Sequence, residues 1–469
     1  MPSVQDSAST MLDRVRRAWK GEQEYEPLEN SVTEGSDREH NLPAGKKHRF
    51  SWIEYSIFLL LGVSMLWAWN MFLAAGPYFQ QRFQSNKWIF DNFQATEISV
   101  STVTNLVSML VLTKLQANAS YPKRIVSSLI INMVVFALLA TFTEVFLDVS
   151  ARVYFAFLII MIFSTSLATG LCQNGIFAYV SGFGEPRYTQ GIMTGQAVAG
   201  VLPCIAQIVS VLGVQASDDQ PKNGSPPTAA PPVHPGSAFA YFLTATVISV
   251  TTLLTFLYLV ARNRQPIKLD DAATANSTAL ENPPSDSEDR KEVPLNVLFK
   301  KLFWLASAVF LTFAITMVFP VFTQFIISVR PQDQQPPILQ PATFVPLAFL
   351  FWNAGDLLGR MVTAVPSLTL AHRPRVVFLL AALRIGFVGL YHLCNIRGRG
   401  AIVESDFFYL VVVQMLFGLT NGYLGSTCMI GAGEWVDPEE REAAGGFMGL
   451  CLVGGLTVGS LASFFAAGA

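Results

Sequence analysis

From Trp52 onward the chain repeats one pattern, a long apolar run closed by a short polar break. Eleven of these runs, at about 54–79, 97–115, 124–147, 153–180, 188–214, 237–261, 302–328, 342–365, 375–394, 407–432 and 443–467, are long enough to cross a hydrocarbon core of ~30 Å, which takes ~20 helical residues. The pattern predicts an all-α polytopic membrane protein with eleven transmembrane helices. Two stretches break the rhythm. Residues 1–50 are polar and carry no apolar core of a signal peptide, so they predict a disordered cytosolic tail. Residues 262–299 are rich in Ser, Asn, Asp and Glu and read as a flexible cytosolic linker between six helices in 51–261 and five in 300–469.

Charge then orients the spans. An odd number of crossings puts the termini on opposite sides of the membrane. With the amino terminus in the cytosol, the loops and helix ends of that side carry 17 Lys or Arg, against seven on the other. The positive-inside rule therefore favours a cytosolic amino terminus. The Pro-rich loop 215–236 falls on the opposite side, where Asn223-Gly224-Ser225 is a glycan acceptor disfavoured by the following Pro226. Ser285 and Ser287 sit among acids in the linker, as phosphorylation sites or simply as part of a solvated charge run.

Composition narrows the function classes. The chain is 51% hydrophobic and 14% charged, with 36 Phe, which is more apolar material than a soluble globule needs. A net charge of -2 gives no basic stripe for a nucleic acid. The five cysteines, Cys172, Cys204, Cys394, Cys428 and Cys451, lie in or beside apolar runs without disulfide or metal spacing and read as core residues. No HExxH, GxSxG or GxxxxGK[ST] string occurs, so no enzyme, ATP-driven pump or cofactor is expected.

Chemistry enters with the polar residues inside the spans. In the eighth, Asn353, Asp356 and Arg360 fall at i, i+3 and i+7 on one helical face, acid before base in the favourable order. A charge at mid-bilayer costs roughly 2.5 to 3.5 kcal/mol on insertion scales, so the pair must face a partner, a cavity or each other. It reads as a functional site, with an internal Asp-Arg lock between helices as the structural alternative. The first span carries Trp67, Trp69 and Asn70 at depth; Trp69 offers a flat face to a planar ring or fills a helix interface, whereas Trp67 reads as packing. Gln173 and Asn174 in the fourth span, and Thr194, Gln196 and Gln207 in the fifth, are neutral groups that both donate and accept. Together they describe a cavity for a neutral polar ligand with a flat part, or amides that glue helices. Arg384 in the ninth span is a second buried base with no sequence-local partner. Gly191, Gly195 and Gly200 in the fifth span, and Gly445, Gly449, Gly455 and Gly459 in the last, are small-residue repeats that let helices approach closely.

These residues resemble the equilibrative nucleoside transporters over nearly all of the membrane part. The resemblance rests on Trp69-Asn70 with Tyr78-Phe79, on Gln173 with Gly175, and on Tyr188-Thr189 followed by Ile192 to Gln196 and Gly200. It continues through Asn353, Asp356, Gly359 and Arg360, then Asn421-Gly422-Tyr423, Cys428-Met429 and Ala443-Ala444-Gly445. It implies a major-facilitator-like arrangement of six plus five helices around a cavity opened alternately to each side, and nucleosides such as adenosine and uridine, or nucleobases, as substrates. Carried over by position, Trp69 and Gln173 would contact the base, Asn70 and Gln196 would belong to the same site, Asn353 would line the cavity, and Asp356 with Arg360 would meet the ribose hydroxyls. One departure is Ala68, where the family commonly has Pro. The tail, with Tyr25-Glu26-Pro27-Leu28 as a string of the kind read by sorting adaptors, is similar to that of the fungal intracellular members and implies a vacuolar membrane more than the cell surface.

The reading is therefore a transporter in a lipid bilayer working by alternating access without ATP, either facilitative or coupled to a proton carried by Asp356, Glu54 or Glu97. The alternative within transport is a major-facilitator-type carrier of sugars or other small polar solutes, against which stand the missing twelfth span and the intramembrane position of the acid and base. A receptor or scaffold with a polar lock is the alternative of a different class.

Overall fold

The computed structural model of the protein describes residues 50–116, 119–145, 149–217, 235–263, 293–331 and 334–467. The expectations for the tail with its sorting string, for Asn223 and for Ser285 and Ser287 concern residues outside these. The described residues are helical, with eleven helices long and apolar enough to cross a membrane. In chain order they are α1 (Trp52–Ala74), α2 (Lys87–Lys114), α3 (Tyr121–Glu144), α4 (Ala151–Gly182), α5 (Pro186–Ser217) and α6 (Pro235–Asn263). After 264–292 come α7 (Leu295–Thr316), α8 (Pro341–Val362), α9 (Pro374–Leu383, resuming as Gly386–Tyr391), α10 (Phe408–Met415 and Leu416–Gly431) and α11 (Arg441–Ala467). Their outer faces carry exposed Val103, Ile160, Val209, Leu254, Leu379 and Leu383, as expected where the solvent is lipid.

The ends follow from local chemistry. Asn86 caps α2 by accepting from the Ile89 N–H at 3.3 Å, so the helix starts ten residues before the apolar run and carries polar Lys87–Glu97 with it. Prolines open α3, α8 and α9, where the missing N–H costs nothing. Besides α9, two apolar runs that read as single spans are broken beside a proline. The first stops at Ala74 and resumes at Gly76–Arg82, and the seventh stops at Thr316 and resumes at Val318–Thr323. In each case a proline lies just beyond, Pro77 or Pro320, whose ring would meet the carbonyl of Leu73 or Thr316 in a continuous helix. Ala68 lies inside the unbroken part of α1. The first eight residues of α10 are wound as a π-helix, a local form found mostly at functional sites.

Helices α1 to α6 form one group, in which α1 packs on α5 and α6, α3 on α4 and α6, and α2 on α4. In the second group α7 packs on α9, α10 and α11, and α8 on α10. The groups meet along α5 against α8 and α10, and along α11 against α2 and α4. This is the six-plus-five arrangement. The largest apolar cluster crosses that boundary, joining Phe58, Phe177 and Tyr188 of the first group to Leu305, Cys428 and Phe447 of the second.

The glycine repeats sit where the seams are tightest. A Cβ on Gly195 would fall 2.0 Å from the Leu59 carbonyl, and one on Gly445 would fall 2.2 Å from that of Phe177. The seam between α8 and α10 uses glycines from both sides: Gly355 and Gly359 lie against the carbonyls of Met415 and Leu419, and Gly418 and Gly422 against those of Trp352 and Asp356. Any side chain at these four positions would have to share space with backbone.

Candidate functional site

That backbone-to-backbone seam sets the position of Asp356. Residues 418 to 422 present two glycines to α8, and Asn421 between them points its amide at the acid, with Nδ2 2.7 Å from Asp356 Oδ1. On the other oxygen, Arg360 donates from Nε at 2.7 Å. The four-residue spacing expected to join acid and base therefore does so. Both side chains are almost wholly buried, at 3% and 4% exposure.

Helix α5 supplies the rest. Arg360 Nη1 donates to the Met193 carbonyl at 2.8 Å and to Gln196 Oε1 at 3.0 Å, so one guanidinium ties α8 to α5 across the group boundary. Gln196 Nε2 lies 2.8 Å from Met65 Sδ in α1. One turn along α8, Asn353 donates to Cys204 Sγ at 3.6 Å and to its own helix at Phe349. Its Oδ1 occupies the space that a Cβ on Gly200 would need, 2.3 Å away, which explains glycine at that position. Cys204 is thus more than core filling, because its thiol also donates to the Gly200 carbonyl at 3.3 Å. From the other side Asn70 of α1 donates to the Ala199 carbonyl at 2.8 Å. Residues 193, 196, 199, 200 and 204 run up α5 as a ladder that α1 and α8 both touch.

The expected residues are therefore brought together unequally. Gln196, Asp356 and Arg360 share one hydrogen-bonded network, and Asn353 and Asn70 join the same helix one to two turns away. Trp69 is half-buried, its ring parallel to Phe72 at 6.5 Å between centroids. Gln173 stands apart from the network: its Oε1 accepts from Asn105 of α2 at 3.4 Å. Its neighbour Asn174 is committed to structure, accepting from Arg124 of α3 and donating to Thr113 of α2.

The network leaves capacity unused. Arg360 bonds through Nε and Nη1, and its Nη2 makes no hydrogen bond among the described residues. Among the same residues, each Asp356 oxygen accepts one hydrogen bond where a carboxylate oxygen takes two. A polar ligand reaching this face would meet one free donor nitrogen, with two N–H groups, and two free acceptor positions.

Comparison with known proteins agrees with the residues. Residues 159–467 match the family described as nucleoside transporter. The chain is 30% identical to "Nucleoside transporter FUN26" of Saccharomyces cerevisiae, over 94% of this chain and 88% of that one. The chain belongs to the nucleoside transporter family. This transporter is also 26% identical to "Equilibrative nucleoside transporter 1" of Homo sapiens, over 87% of its length and 95% of the relative's. Among solved structures it is similar in fold to the proton:xylose symporter XylE of the major facilitator superfamily, with a TM-score of 0.57 at 8% identity over 87% of this chain and 86% of that one. A bacterial homologue of the iron transporter ferroportin, in an outward-facing state, gives a TM-score of 0.55 at 12% identity, covering 89% and 98%. These likenesses show the major-facilitator fold.

Three residues of the transporter's network are not among the candidates that sequence reasoning selects. Asn421 stands out only as part of the family pattern; its signal is an amide placed between Gly418 and Gly422, the spacing of a close helix crossing. Thr316 donates to Asn421 Oδ1 at 2.6 Å and ends α7 where Pro320 breaks it. Arg384 reaches Thr316 from the break in α9, and nothing in its own neighbourhood of sequence announces those partners.

Proposed function

We propose that the protein moves nucleosides across its membrane down their concentration gradient, with Asp356 and Arg360 meeting the ribose hydroxyls and Trp69 stacking on the base. The observation that carries this reading is the Asp356–Arg360 pair itself: buried, spanning the boundary between the two helix groups, and holding one free donor nitrogen beside unfilled acceptor positions. Vicinal hydroxyls donate and accept, so they complement both. Asn353 and Gln196 line the same face from α8 and α5. Gln173, on the α2 side, is the partner for the far edge of the base, and Asn70 holds α1 against α5. In this reading the pair is lock and site at once, because substrate takes up hydrogen bonds on the residues that hold the groups together.

A second reading adds a proton. Glu97 in α2 is 3% exposed and its Oε1 makes no hydrogen bond among the described residues, an arrangement that suits a carboxyl group carrying a proton better than a permanent charge. The excess of Lys and Arg on one side favours a cytosolic amino terminus, and the Tyr25–Leu28 string favours delivery by a sorting adaptor to a vacuolar-type membrane.

The deciding measurement is uptake of radiolabelled adenosine and uridine into proteoliposomes, with and without an imposed pH gradient. Uptake that equilibrates with the external concentration in both conditions is expected. Accumulation above it when the outside is acidic would replace the facilitative reading with the proton-coupled one. Folded protein that takes up neither nucleoside would overturn the assignment of substrate.

A further inference from the structure

The second buried base, Arg384, is almost wholly enclosed, at 2% exposure. It lies in the short break between the two parts of α9, where the backbone bonds tighten to three-residue spacing. Among the described residues no carboxylate pairs with it. Instead Nη1 donates to the Thr312 carbonyl at 2.5 Å, Nη2 to Thr316 Oγ1 at 3.0 Å and to the Phe417 carbonyl at 3.4 Å, and Nε to Thr420 Oγ1 at 3.2 Å. The guanidinium carbon also stands 4.6 Å over the Phe417 ring. A cation with no carboxylate in contact at this depth, the Asp356 charge acting on it only from a distance, is expensive for a structural staple, which several neutral side chains would serve as well.

The direction of the hydrogen bonds gives it a purpose. Arginine only donates, whereas a threonine hydroxyl has one proton to give. Two acceptors lie within reach of that proton, the Thr312 carbonyl at 2.8 Å and Asn421 Oδ1 at 2.6 Å. Arg384 donates to the first of these acceptors and to the hydroxyl oxygen itself, and Asn421 Oδ1 is the nearer of the two, which favours turning the Thr316 proton toward Asn421. With Oδ1 thus engaged, the Asn421 amide must present its NH2 to the other side, where it donates to Asp356 Oδ1 at 2.7 Å. The chain Arg384, Thr316, Asn421, Asp356 therefore runs in one direction only. Turning the Asn421 amide over would set its carbonyl oxygen against the carboxylate.

We propose that Arg384 is a positioning residue for substrate recognition: acting through Thr316 and Asn421, it fixes the orientation of the amide that holds Asp356 toward the ribose hydroxyls. The inference rests on the reading of Asp356 as the ribose contact. It assigns no contact between Arg384 and substrate.

Uptake of adenosine and of 2′,3′-dideoxyadenosine, which lacks both hydroxyls, separates the possibilities in proteoliposomes made with the full chain. Wild-type protein is expected to take up adenosine with the lower KM. Replacing Arg384→Gln should raise the adenosine KM about tenfold, the usual effect of leaving one buried polar group misdirected, and leave the dideoxyadenosine KM unchanged. Thr316→Val removes the relay without stranding a charge and should give the same selective loss, while Thr316→Ser, which keeps the hydroxyl, should recover the adenosine KM; these two decide the matter if Arg384→Gln does not fold. An equal loss for both nucleosides in Thr316→Val, or an unchanged adenosine KM, would overturn the positioning role and leave the ribose reading intact. Wild-type protein indifferent to the two hydroxyls would overturn the ribose reading itself, and the proposal with it.

Discussion

Two polar networks lie buried in the second helix group, and they are built to different plans. Around Gln414 in the π-helical part of α10, Tyr391 donates to Oε1 at 3.0 Å, while Nε2 lies 2.8 Å from Thr323 Oγ1 and 2.7 Å from the Tyr409 hydroxyl. Every member is neutral, all belong to the second helix group, and both amide N–H groups are engaged. Around Asp356 two members are charged, the network reaches across to α5, and a guanidinium nitrogen is left over among the described residues. Burial of polar groups is common to both, so burial alone does not mark a site. Charge that spans the boundary between the groups, with donor N–H groups in reserve, is what separates the second network from the first.

The sharpest way to break the comparison is Asp356→Ala. Removing one partner of a buried pair leaves the other charge uncompensated, a loss of about 3 to 5 kcal/mol, and uptake of adenosine should vanish. Near-normal uptake by correctly inserted protein would reduce this network to the status of the other.

Gly422→Ala tests whether the seam positions the acid. The new methyl would fall 1.9 Å from the Asp356 carbonyl, so α8 and α10 must separate. Overpacking of this kind costs about 1 to 3 kcal/mol, and a drop in adenosine uptake of about tenfold or more is expected from protein that still inserts. Wild-type uptake would mean that the crossing does not set the geometry of Asp356.

Smaller again is Trp69→Ala, in which loss of one stacking face at ~1 to 3 kcal/mol should raise KM more for adenosine than for uridine. Equal effects on the two would place the ring away from the base. Gln414→Leu should change transport least. It leaves neighbouring hydroxyls unpaired at about 1 to 3 kcal/mol, so the thermal midpoint should fall while the adenosine KM stays put. A changed KM would show that the neutral network also meets substrate.

Much of this architecture is legible in the amino-acid sequence, and the gaps have physical causes. Hydropathy finds the eleven crossings because length and apolarity are what a bilayer selects. It runs straight through the breaks before Pro77 and Pro320, since a window average does not register one missing N–H. The bond between Asp356 and Arg360 is readable because four residues make about one turn of helix. Its partner Asn421 is not, because a bond between residues 65 apart depends on how two helices cross; only the spacing of Gly355 with Gly359 and of Gly418 with Gly422 hints at it. Gln173 and Asn174 look equivalent in sequence, yet the structure commits Asn174 to Arg124 and Thr113 and gives Gln173 only a long contact to Asn105.

The glycine seam also has a mechanical consequence. Where α8 meets α10 there are no side chains between the backbones at four positions, so the joint contains nothing soft to compress or rotate. The two helices must travel as a single stiff blade. The joint between α8 and α5 is of another kind, a long guanidinium arm fastened to a carbonyl and an amide. Such an arm has slack: it can lengthen, pivot and refasten while the blade stays rigid. When the two helix groups tilt against each other, Arg360 would work as a tether between moving parts, and under the proposed ribose contact the place where the machine yields is also the place where it would hold its cargo.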